Sequence, residues 1–154
     1  MKKYVVRETK FGKIGITEDE GVIVRLWLPS EVTGQSEDSA TPLIEKAFQE
    51  LDEYFKGTRR TFTIRMRPIG TPFMLSAWQA LVDIPYGQTA TYGEIATRIG
   101  HPGAARAVGM ACGRNPLALF VPCHRVVATS GLGGFREGLP MKKELLALER
   151  KSRT

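Results

Sequence analysis

The sequence is short of cysteine and histidine, with Cys112, Cys123, His101 and His124 the only examples among 154 residues. None of them lies in the first 100 positions. Four residues so placed lack the paired spacing of a zinc finger or ribbon, so no structural metal is expected; no other cofactor is expected either. A disulfide between two lone cysteines would be unusual in a reducing cytosol, which leaves at least one thiol free to react. Long apolar runs are missing as well. The opening Met1-Lys2-Lys3 passes into alternating Tyr4, Val5, Val6 and Arg7, not into the unbroken apolar centre of a signal peptide. No stretch approaches the roughly 20 apolar residues that a membrane-spanning helix needs. The expectation is a cytoplasmic protein with no membrane partner.

Acidic residues are scarce in only one half of the chain. Residues 1–70 carry 12 basic and 11 acidic side chains, whereas residues 71–154 carry 10 and 5, so most of the net charge of +6 sits in the second half. A basic half of this kind favours a polyanionic partner. The two compositions meet at Ile69-Gly70-Thr71-Pro72, which predicts two small domains, 1–70 and 71–154.

In the first half, Lys13–Thr17 and Val22–Leu28 flank the turn-forming Glu18-Asp19-Glu20-Gly21, a hairpin pattern. After a polar stretch, Ile44, Ala47, Phe48, Leu51, Tyr54 and Phe55 recur at helical spacing between Thr41-Pro42 and Gly57. Thr61–Arg67 alternates as a strand would. The second half opens with a helical pattern in Phe73, Ala77, Trp78, Leu81 and Val82. Thr91-Tyr92-Gly93-Glu94 then reads as a capping box, placing Tyr92 in the first turn of a helix to about Ile99. Beyond Gly100-His101-Pro102, with Pro102 at the first helical position, Ala104, Ala105, Arg106, Ala107, Val108 and Gly109 continue a second short helix. Two helices so joined have the proportions of a helix-turn-helix. Small side chains around one Arg let the second helix approach another surface closely.

The apolar run Leu117–Val121 predicts a buried strand that delivers the chain to Pro122-Cys123-His124-Arg125-Val126. A cysteine beside His and Arg in a basic half favours thiolate. Neighbours on an extended strand face opposite ways, so His124 needs a turn at Pro122 or a bridging water to serve as base. A last helix, starting near Pro140 and carrying Leu145, Leu146 and Leu148 inward, brings Glu149 to where it could orient His124.

These features together resemble the O6-alkylguanine-DNA alkyltransferases, also called methylated-DNA-protein-cysteine methyltransferases. The likeness rests on Pro122-Cys123-His124-Arg125-Val126-Val127, Ala104-Ala105-Arg106-Ala107-Val108-Gly109, Asn115-Pro116, Thr91-Tyr92 and Leu145-Leu146 leading to Glu149. The resemblance implies an α/β N-terminal ribonuclease-H-like domain plus a mostly α C-terminal domain with a winged helix-turn-helix. It implies a monomer acting on double-stranded DNA that contains O6-alkylguanine. Cys123 would accept the alkyl group once and irreversibly, His124 would deprotonate it through a water, and Glu149 would hold His124. Tyr92 would protonate the departing guanine, and Asn115 would bridge the second helix of the motif to the cysteine segment. Arg106 would fill the gap left by the flipped nucleotide, with Thr91, Tyr92, Ala104, Ala105 and Arg125 also at the DNA and the second helix of the motif in the minor groove. The loop 131–138 departs from several relatives in length and sequence, which leaves its guanine contacts, Arg136 among them, unassigned. Two other readings of the residues stay open at this point: a Cys/His hydrolase working through a thioester, and a lesion-binding module without transfer.

Overall fold

The computed structural model describes residues 1–152, which form two compact units divided between Pro68 and Ile69. The first holds an antiparallel sheet in the order β1 (Lys2–Thr9), β2 (Gly12–Asp19) and β3 (Val22–Trp27), followed by helix α1 (Pro42–Phe55). The expected hairpin is present with a tighter turn: β2 runs to Asp19, leaving Glu20 and Gly21 at φ +52° and +77°. Two consecutive positive φ values give the turn that matches strand twist. Helix α1 starts where expected, because the Thr41 side chain accepts a hydrogen bond from the Ile44 amide. Its buried stripe, Ile44, Ala47, Leu51 and Tyr54, meets Ile14, Ile16, Ile23 and Leu26 in the core.

Thr61–Arg67 corrects the sequence reading. It is an irregular segment with a single parallel bridge between Met66 and Ile23. The Ile23 amide donates to the Arg65 carbonyl and the Arg67 amide to that of Ile23. Thr63 instead turns its amide and hydroxyl to the carboxylate of Glu50 on α1, which is 2% exposed. That buried acceptor diverts the backbone from a second ladder.

The second unit packs α2 (Pro72–Val82), α3 (Tyr92–Arg98), α4 (Ala105–Gly113) and α5 (Leu139–Lys151) around a two-residue parallel pair, β4 (Ala90–Thr91) and β5 (Val126–Val127). The Thr71 side chain caps α2. Ala77, Trp78 and Leu81 are buried as the helical pattern requires, but Val82 is exposed at the helix end. Trp78 donates through Nε1 to the Ala111 carbonyl at 2.8 Å, tying α2 to α4. The capping box at Thr91 and Glu94 is formed in full. Pro102, expected to open the next helix, lies in a turn, because Gly103 at φ +92° lies outside helical space and α4 begins at Ala105. Among the described residues no helix is long and apolar enough to cross a membrane.

Candidate active site

The run Leu117–Val121 is buried but is not a strand. Leu119 adopts φ +78°, and the Val121 amide donates back to the Leu117 carbonyl at 2.8 Å, closing a turn. Asn115 holds it. Its Nδ2 donates to the Val121 carbonyl and its Oδ1 accepts from the Leu117 amide, both at 2.9 Å. A buried turn leaves backbone groups that no ladder satisfies, and one amide side chain following α4 supplies both partners. Asn115, which follows α4, thus ties the turn that precedes the cysteine segment.

The next residues leave extended geometry as well. Cys123–Arg125 form a 3₁₀ turn, with the Cys123 amide donating to Val121 and the Arg125 amide to Pro122. Three residues per turn send the three side chains in separate directions. His124 is fully buried, and its Nε2 meets Glu149 Oε2 at 2.7 Å. Arg125 was expected at the DNA, and here the structure corrects the sequence reading. It is 6% exposed, donates through Nε to Glu149 Oε1 at 2.8 Å and through Nη1 to the Ile84 carbonyl at 2.8 Å. A guanidinium with so many internal acceptors is a structural clamp on Glu149 and has no face left for a phosphate.

Glu149 is 1% exposed and also accepts from the Gly87 amide. Burial alone would raise its carboxyl, but His124 and Arg125 outweigh that and hold it down to about 2. His124 is pulled below its ordinary value, since burial outweighs its hydrogen bond to the Glu149 carboxylate, and Arg125 and Lys142 push the same way as burial. The imidazole therefore rests neutral. With Nε2 directed to the carboxylate, Nδ1 is the nitrogen that would carry the lone pair.

Cys123 is 6% exposed and lines a cavity of about 150 Å³ with Tyr92, Gly109, Cys112 and Gly113, closed on the far side by Gly134, Phe135 and Arg136. Gly113 and Gly134 are exposed, so the cavity reaches the surface. The thiolate expectation does not hold for the resting protein. Burial pushes the Cys123 thiol up, with Asn115, Arg136 and Lys142 opposing. Cys112 is pushed up to about 12, by burial first and by Cys123 second. Neither sulfur is a standing anion, so a neutral base beside Cys123 has a proton to take.

The pairing of β4 with β5 brings Tyr92, the residue after β4, to the wall of the same cavity. Its hydroxyl accepts from the Gly134 amide at 3.3 Å, and burial raises its pKa, so the phenol keeps its proton. Thr91 accepts from the Glu94 amide through its hydroxyl oxygen and donates its own amide to Glu94 Oε1, which fixes the start of α3 next to Tyr92. Ala104 and Ala105 are half-buried at the start of α4, and Arg106 is exposed beside them. Arg136 donates to the Gly113 carbonyl at 2.9 Å, joining its loop to the end of α4.

Sequence reasoning missed Lys142. It is fully buried, and its ammonium donates to the carbonyls of Val126 and Gly134 at 2.6 and 2.9 Å. One lysine so fastens the cavity loop to the strand after Cys123. The hint was a lysine following Met141 on the inner side of α5, which helical spacing alone reads as a solvated charge.

A three-stranded unit followed by a helical unit with a helix-turn-helix, and a buried cysteine backed by a His–Glu pair, define a DNA-binding protein class with a nucleophile at its centre. Residues 2–68 match the 6-O-methylguanine DNA methyltransferase ribonuclease-like domain, and residues 72–151 match the DNA binding domain of the same family. The chain belongs to the 6-O-methylguanine DNA methyltransferase family. It is 42% identical to the constitutive methylated-DNA–protein-cysteine methyltransferase of Bacillus subtilis, over 97% of this chain and 96% of that one. The O6-methylguanine methyltransferase of Mycobacterium tuberculosis superposes with a TM-score of 0.89 at 37% identity, covering 99% of this chain and 94% of that one. The M. tuberculosis OGT in complex with DNA gives 0.87 at 38% identity, over 97% and 93%.

Proposed function

We propose that this protein repairs alkylated DNA by moving an alkyl group from O6 of guanine to Cys123, once per chain. The observation that carries the reading is the cavity lined by Cys123 and Tyr92, together with the buried pair that the next residue, His124, makes with Glu149. His124 takes the thiol proton, directly or through one water. The sulfur then attacks the alkyl carbon, a new S–C bond forms, and the C–O6 bond breaks with its electrons leaving on guanine. Tyr92 gives its proton to that guanine, offsetting a poor anionic leaving group. The product is a thioether with no electrophilic carbonyl for water to attack, so the protein is consumed.

The target atom lies inside the duplex, so the nucleotide must be extruded, at a cost of a few kcal/mol that falls for a badly paired lesion. Exposed Arg106 fills the vacated stack while the Ala104–Ala105 end of α4 approaches the minor groove. Titrating the protein against a duplex oligonucleotide with one O6-methylguanine tests the reading. A plateau at about one methyl per chain is expected. Continued turnover would identify a hydrolase, and binding without any transfer would identify a lesion-recognition module.

The loop position that faces Tyr92 gives a second check. Gly133 has φ +73°, and a Cβ there would stand 2.7 Å from the Tyr92 hydroxyl. Gly133→Ala must move either the ring or the loop, and misplacing a proton donor by about 1 Å costs up to about 100-fold. Single-turnover kinetics should show a loss of about tenfold or more, with a melting temperature lower by a few degrees because an alanine at positive φ is strained. An unaltered rate would contradict the expected loss and mean that the loop yields while the phenol keeps its place.

A further inference from the structure

Helix α4 presents an apolar side chain that the proposed chemistry leaves unused. Met110 is 57% exposed, one turn beyond Arg106 and one turn before Arg114, both of which are also exposed. Residues four apart on a helix share a face, so Met110 lies between two guanidinium groups in a strip along one side of α4 and its C-cap. The next residue in each direction is committed elsewhere: Gly109 lines the Cys123 cavity and Ala111 is buried. The strip therefore borders the cavity. An exposed apolar side chain bordered by two cations is poorly matched to a protein partner's apolar face, and well matched to a polyanion with apolar surfaces inside it. With Arg106 in the vacated stack, the side chain one turn further along α4 meets the neighbouring sugar and base faces, and minor-groove proteins use Met among the residues that wedge between base steps.

We infer that Met110 is an apolar wedge in the groove, packing on the nucleotides beside the extruded one and lowering the cost of opening that step. This rests on the DNA-repair reading above and adds a positioning residue to it. Its role is to help expel the base, and it does not touch the sulfur or the alkyl group.

The test compares Met110→Ala and Met110→Leu in the full chain, on two substrates, by single-turnover transfer. Alanine keeps the helix, since it is the best helix former, and the side chain is exposed, so folding is preserved. On a duplex with one O6-methylguanine, M110A should react about tenfold more slowly, the loss expected for removing about two buried methylene equivalents. With free O6-methylguanine base, which has no flanking nucleotides, M110A should stay within about twofold of the parent. M110L, which restores apolar bulk, should recover most of the duplex rate. An unchanged duplex rate for M110A overturns the wedge, as does an equal loss on the free base, which would make Met110 part of the pocket wall. Should the parent protein itself transfer nothing from either substrate, the repair reading fails, a result distinct from both.

Discussion

Cys123→Ala is expected to abolish alkyl transfer and leave duplex affinity within about threefold of the parent. The reason is spatial. The thiol is 6% exposed inside the cavity, while the groups proposed to face a duplex, Arg106, Met110 and the start of α4, are exposed or half-buried in the same unit. Phosphate contacts supply most of the affinity for DNA, and they do not pass through a buried sulfur. Removing one small side chain from a site that already holds a cavity adds little strain. Cys112, the second thiol on that wall, is a poor substitute, because burial, the larger cause of its raised thiol, remains once Cys123 is gone. Fluorescence anisotropy with labelled duplex and a single-turnover assay separate the two properties. A variant that still transfers would move the reaction to Cys112, and one that no longer binds would make Cys123 a folding determinant.

Glu149→Ala carries the largest expected effect on stability, about 3–5 kcal/mol. The carboxylate is the shared acceptor for His124, Arg125 and the Gly87 amide. Without it the Arg125 guanidinium stays buried with only the Ile84 carbonyl among these partners. An uncompensated charge in the interior costs far more than a surface ion pair contributes. The pH dependence gives the signature. A carboxyl held near 2 against an ordinary 4.5 stabilises the fold fully above about pH 5, and that contribution, roughly 3 kcal/mol, is lost as pH falls towards 2. His124, lowered by burial, adds to the acid side: below its ordinary 6.5 the unfolded chain takes up a proton that the folded protein refuses. Urea unfolding at intervals from pH 7 to pH 3 should show parent stability falling through this range and a flatter profile below pH 4.5 in E149A. Parallel profiles would mean that Glu149 titrates normally.

Much of this site was legible in the residues because the chemistry uses types that are rare in the chain. With two cysteines and two histidines, the adjacent Cys123-His124 pair could hardly be overlooked, and the helical spacing of α5 carried Glu149 inward to meet it. Thr91 and Glu94 announced the start of α3 because a capping box is local. What failed was non-local. Leu117–Val121 read as a strand because apolar runs do, but the backbone acceptors and donors there belong to Asn115, and Leu119 at positive φ cannot extend a ladder. Thr61–Arg67 failed likewise, through Glu50 on a preceding helix. Arg125 looked like a DNA contact because an arginine beside a nucleophile in a basic half invites that reading. Its acceptors, Glu149 and Ile84, come from distant positions that spacing does not connect to it. Lys142 was hidden for the same reason, with partners at Val126 and Gly134. The resting state of the thiol was also beyond the sequence, since burial, and not the neighbouring cations, sets its direction.

The most direct measurement is intact mass followed by peptide mapping after the protein is mixed with excess duplex bearing O6-methylguanine. The expected result is a complete shift by one methyl group, found on the peptide that carries Cys123 with Cys112 unmodified. An unshifted mass, or a methyl group on any other residue, would contradict the account.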